Sequence, residues 1–193
     1  MMMWNLIHIK LLIGKRGHCL LFFCNFARRF FINRNMSYNR KEAVSYAEKY
    51  ALTRNPQYYD FSSLGGDCTN FVSQCLFAGT GKMDFNKNGW FYENLNNRSP
   101  SWTGVKELGK YLITNNSNII KAKIVNFDEI EIGDVIQLRQ AEEFNHSLIV
   151  SRVYKPILSL NDIYICAHTN DRRNVRLSVY TFKELKFLKV LPL

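Results

Sequence analysis

Three side chains in this sequence could carry nucleophilic chemistry together: Cys68, His146 and His168. Cys68 follows Gly65-Gly66-Asp67 and opens the segment CTNFVSQCLFAG, whose apolar residues repeat at helical spacing. A cysteine in the first turn of a helix meets free backbone N–H groups and the positive end of the helix dipole. Both favour a thiolate, and the same N–H groups could hold the oxyanion of an acyl-transfer intermediate. The glycine pair lets the chain turn tightly before it, and Asp67 is placed to cap the helix. The bland alternative is a buried structural thiol, the usual fate of a free cysteine.

A thiol nucleophile needs a base, and the base needs a partner at its other ring nitrogen. His146 begins the apolar run HSLIVS, where alternation sets His146, Leu148 and Val150 on one face. His168 ends the run IYICAH, on a face with Cys166 and Asn170. Two histidines on neighbouring strands facing a helix start would supply the base and its orienting group. Each histidine taken alone is more simply a satisfied core residue. Cys75, two helical turns beyond Cys68, reads as core packing.

These residues need a helix for the sulfur and a sheet for the imidazoles. A helix with apolar positions Ala43, Tyr46, Ala47, Tyr50 and Ala51 precedes the cysteine segment, and Pro56 closes it. Gly79 is the expected stop of the cysteine helix. A loop over 80–101 carries Trp90, and a further helix starts at Ser101-Trp102. From Gly133 the period changes to that of strands, over 135–138, 146–151, 163–168 and 175–179, with short turns between them. Helices followed by an antiparallel meander is an α+β layout.

The composition allows such a domain. The chain has 193 residues, 47% hydrophobic and 22% charged, so it can bury a core. The net charge is +10, but residues 1–36 hold six basic residues and no acid. The body is only mildly basic, and no nucleic-acid partner is expected. Residues 1–36 read as an apolar, basic extension: either an upstream gene-model artefact with the true start at Met36, or an atypical signal or membrane-surface segment. Membrane contact is expected only through that stretch, and cytoplasmic and cell-envelope locations both stay open. Residues 37–193 form the expected catalytic domain. Five cysteines without a C-x-x-C pair argue against a thiolate zinc site. No cofactor or metal is expected, although Cys68, His146, His168 and Asp171 are ligand types that suit zinc.

The strings GGDCTNFVSQCLFAGTGKM, NGWFY, RSPSWTGV, NHSLIVS and AHTNDR occur in that order. Together they resemble the bacterial amidase domain family, a branch akin to papain-like cell-wall peptidases and CHAP amidohydrolases. The resemblance implies a cysteine-bearing helix packed on an antiparallel sheet that bears the histidine. It assigns Cys68 as nucleophile, His146 as base, and His168, with Asn170 or Asp171 as alternatives, as the third polar group. The papain-type oxyanion glutamine before the cysteine has no clear equivalent; the region Tyr58-Tyr59-Asp60 is the candidate substitute. Asp67, Thr69, Tyr59, Trp90 and Trp102 are the candidate oxyanion or substrate contacts, the rings offering a stacking surface. The expected reaction is cysteine-dependent hydrolysis of a peptide or peptidoglycan-like amide through a thioester acyl-enzyme. The alternatives are the same fold with a dead site, acting as a binding module, and, behind it, a metal-dependent hydrolase.

Overall fold

Helix α1 spans Arg40–Tyr50. Asn39 caps it, its side chain accepting a hydrogen bond from the Glu42 N–H. The computed structural model describes residues 38–192, and these fall within one unit, Met36–Leu193. The expectations for residues 1–36, with His8, His18, Cys19 and Cys24, lie outside the described residues.

Helix α2 spans Cys68–Thr80 and is buried on nearly all sides, as a central helix must be. Its buried polar side chains find partners, which removes the cost of desolvating them. Gln74 accepts from Tyr46, Ser73 donates to the Trp102 carbonyl, and Asn70 accepts from the Trp102 indole. Gly79 is not the stop. The helix runs on to Gly81, which takes the left-handed conformation at φ 65°. Gly79 instead allows close packing: a Cβ there would lie 2.3 Å from the Tyr38 ring. That ring is pinned by its hydroxyl, which donates to the Gly133 carbonyl.

The loop after α2 holds a short hairpin, β1 (Tyr92–Asn94) and β2 (Asn97–Arg98). The expected helix from Ser101 is two helices, α3 (Pro100–Thr103) and α4 (Val105–Thr114), broken at Gly104, whose backbone is extended. Then follow β3 (Ala122–Val125), β4 (Val135–Arg139), β5 (Phe144–Val153), β6 (Ile163–Ala167), β7 (Arg172–Arg176) and β8 (Glu184–Val190). They form one antiparallel sheet in the order β3-β8-β4-β5-β6-β7. The meander from β4 to β7 is as expected. The C-terminal strand is not, because it returns to insert between β3 and β4. The run over 175–179 also differs: β7 ends at Arg176, and Leu177–Val179 is a 3-10 turn.

The sheet separates two apolar clusters. Val135, Ile149 and Cys166 belong with the helices, whereas Ile136, Leu148, Val150 and Ile165 face a second core. Alternation therefore sends Ser147 to the helix side and His146 to the other. Arg40, in the first turn of α1, ties helix to sheet by donating to the Asp134 carboxylate and to the Ile132 and Val190 carbonyls. These are mixed α+β layers with the helices against one face of an antiparallel sheet.

Candidate active site

The site lies where two neighbouring strands part. Strands β5 and β6 pair from Val153↔Ile163 to Ile149↔Cys166. Had that register continued, His168 would stand opposite Ser147. Instead Thr169 and Asn170 adopt left-handed φ values of 63° and 62°, and the chain turns away. The start of β5 is thus left without a strand partner on that side. Helix α2 fills the gap with its first residue, and the Ser147 N–H lies near enough to the Cys68 sulfur to favour its thiolate. His146 immediately precedes Ser147, so α2 reaches the strand that bears the base candidate, whose side chain alternation turns to the other face of the sheet. Thr69 secures the contact by donating to Ser147 Oγ at 3.1 Å, with its own hydroxyl 3.8 Å from the sulfur.

Cys68 and His146 are nearly enclosed, at 7% and 6% exposure. Burial pushes the Cys68 thiol up from its ordinary value, and the Asp67 charge adds to the rise; hydrogen bonds from Ser147 and Thr69 oppose it only in part. A thiolate kept ionised by the helix start is therefore not the resting state. Enclosure disfavours charge on either partner. Desolvation holds the His146 imidazole at about 4, against 6.5 for a free ring. Among the described residues its nitrogens have no hydrogen-bond partner. Its ring lies 5.7 Å from that of Tyr180. The resting pair is a neutral thiol and a neutral imidazole.

That depressed value has a consequence for stability. Between pH 6.5 and about 4 the unfolded chain binds a proton at position 146 that the folded chain refuses. Stability is full above 6.5 and falls as pH drops through this window, by at most about 1.4 kcal/mol per unit. His146→Gln is expected to remove this contribution. Melting temperature measured against pH in both proteins checks it: the wild-type curve should fall more steeply between 6.5 and 4.

His168 does not orient His146. Its Nδ1 sits 2.5 Å from Asp67 Oδ2, and its Nε2 is 2.8 Å from the Tyr50 carbonyl oxygen. Its ring stacks on Phe71 at 4.0 Å and is 1% exposed. Nor does Asp67 cap α2 with its side chain. Its other oxygen accepts from the Phe61 N–H and from Asn70 Nδ2, while the Arg54 guanidinium approaches at 3.6 Å. Asp67 and His168 form a buried clamp that joins the loop before α2, the helix start and the end of β6. Thr169 adds to it by accepting from the Asp67 N–H. Asn170 is exposed at the turn. Asp171 is engaged by both terminal nitrogens of Arg54.

The remaining candidates divide in the same way. Trp90 and Trp102 are fully buried and stack at 5.0 Å, so they brace α2 from within and line no open groove. Their indole N–H groups donate to Ser73 and Asn70. Tyr59 is 39% exposed, its ring edge-on to Phe61 and its carbonyl held by Asn70. The four ligand types that suited zinc do not converge. Among the described residues no group of three or more His, Cys, Asp or Glu is placed to hold a metal. Two neighbours of the candidate residues escaped sequence reasoning. The Ser147 N–H is a backbone group and has no sequence signature, and Tyr180 lies in a loop with no periodicity.

Residues 37–190 match the family described as "Putative amidase domain". Two Bacillus subtilis (strain 168) proteins are similar to this chain. Uncharacterized protein YhbB is 37% identical over 122 residues, covering 61% of this chain and 38% of that protein. Uncharacterized protein YjcM is 30% identical over 156 residues, covering 76% of this chain and 34% of that protein. The match thus spans little more than a third of each relative. No solved structure matches the chain significantly.

Proposed function

The chain belongs to the amidase domain family, and from that premise we propose that it is a cysteine-dependent amide hydrolase in which Cys68 is the nucleophile and His146 the base. The observation that carries this reading is the seating of the Cys68 end of α2 on the start of β5, the strand that bears His146, through the Thr69–Ser147 hydrogen bond. A dry neutral pair is suited to moving the proton as the bond forms. The thiol proton passes to His146 while the sulfur attacks the amide carbonyl. The intermediate collapses to a thioester, His146 protonates the leaving amine, and water then releases the acyl group.

We extend the reading to kinship and substrate. A helix-start cysteine set against an antiparallel sheet is the arrangement of papain-like and CHAP hydrolases, and peptides of the cell wall are the substrate class this suggests. The enclosure of Cys68 favours a slender acyl group, because little of the sulfur is open to a bulky one. The test is capture of the acyl-enzyme. Incubation with short peptide amides or purified muropeptides, followed by rapid acid quench and peptide mapping, should show an acyl adduct on Cys68. In His146→Ala the adduct should form slowly or not at all. Turnover with no adduct, and with no sensitivity to either position, counts against the proposal.

A further inference from the structure

Among the described residues the Tyr180 hydroxyl is shielded from solvent and has no hydrogen-bond partner. Buried tyrosine hydroxyls usually find one, because leaving the group bare is unfavourable. The orphan is not placed at random. Leu177, fully buried, anchors the 3-10 turn Leu177–Val179 in the second core, and the turn delivers Tyr180 against the His146 ring. Its hydroxyl lies within electrostatic range of Arg172, Cys68 and Cys166. The side chain thus borders the base, within electrostatic range of the nucleophile, with an unused donor.

We propose that the Tyr180 O–H donates to the oxyanion formed when Cys68 attacks an amide carbonyl, so that Tyr180 supplies the side-chain donor missing before the cysteine. This rests on the Cys68–His146 reading above and adds a residue to it. As the sulfur–carbon bond forms, the carbonyl π pair moves to oxygen and the thiol proton moves to His146. Tyr180 keeps its proton and only hydrogen-bonds the new negative oxygen. When the pair returns and expels the amine, His146 gives its proton to the leaving nitrogen. Burial also raises the phenol, to about 12, so at neutral pH it is a donor and not a competing anion. A donor with no partner in the resting state gains its bond only once charge develops, which is where stabilisation accelerates a reaction.

The test compares two reactions at one sulfur. Alkylation by iodoacetamide displaces iodide and forms no oxyanion, whereas acylation by p-nitrophenyl acetate passes through one. In Tyr180→Phe, alkylation of Cys68 should stay within about two-fold of wild type. Acylation should slow by roughly 10- to 100-fold, somewhat below the loss seen for a single oxyanion-hole donor on a natural substrate. The melting temperature should hold or rise, because an unsatisfied hydroxyl has been removed. An equal fall in both rates, unchanged acylation, or a lower melting temperature with both rates intact overturns the proposal. Failure of wild-type Cys68 to react with either reagent would instead overturn the underlying nucleophile assignment.

Discussion

Cys68→Ala is expected to lower amide turnover by at least about 10³-fold while leaving the fold in place. The size follows from the role: removing the nucleophile of a coupled unit abolishes the covalent route and leaves only binding and oxyanion stabilisation. The fold should survive because Cys68 is the first residue of α2, and its neighbours are held by other bonds. Thr69 still reaches Ser147, and Asp67 still clamps His168. The change removes one nearly buried sulfur, a loss of about 1 kcal/mol. Turnover of the acylating peptide amide, measured by product mass, and the far-ultraviolet circular dichroism melt check the two halves separately. Near wild-type turnover with the fold intact would remove Cys68 from the mechanism.

The largest effect on stability is expected at Asp67. Its carboxylate takes hydrogen bonds from the Phe61 N–H, Asn70 Nδ2 and His168 Nδ1, and it lies beside Arg54. Asp67→Ala leaves three buried donors bare at once. Breaking a buried pair from one side costs about 3–5 kcal/mol, because the abandoned partner stays desolvated. In a domain of this size that is a fall of about 10 °C in melting temperature. Asp67→Asn keeps the shape and one acceptor, so it should fall less. The clamp also sets the position of Cys68, the next residue. Asp67→Ala should therefore slow Cys68 alkylation even at temperatures where it remains folded. A shift of under about 2 °C would mean that the network does not hold the helix start.

The local settings of the candidate residues were legible in the sequence. Helical spacing and the Gly-Gly-Asp lead-in located Cys68 at a helix start, and α2 begins there. Period-two alternation located His146 early in a strand and set Leu148 and Val150 on its face, which is the face of the second core. Both signals are local, because they depend on backbone geometry within a few residues.

What only the tertiary structure decided is who partners whom. His168 and Asp67 looked like an orienting group and a cap, yet each satisfies the other, because the parting of β5 and β6 brings residues 101 positions apart into contact. Trp90 and Trp102 looked like a stacking surface, but the helices close over them. The direction of the Cys68 shift reversed for the same reason. A helix start lowers a thiol that water still reaches, whereas one enclosed between helix and sheet is raised by desolvation. Partner choice and burial depend on the sum of long-range packing, which no stretch of ten residues encodes.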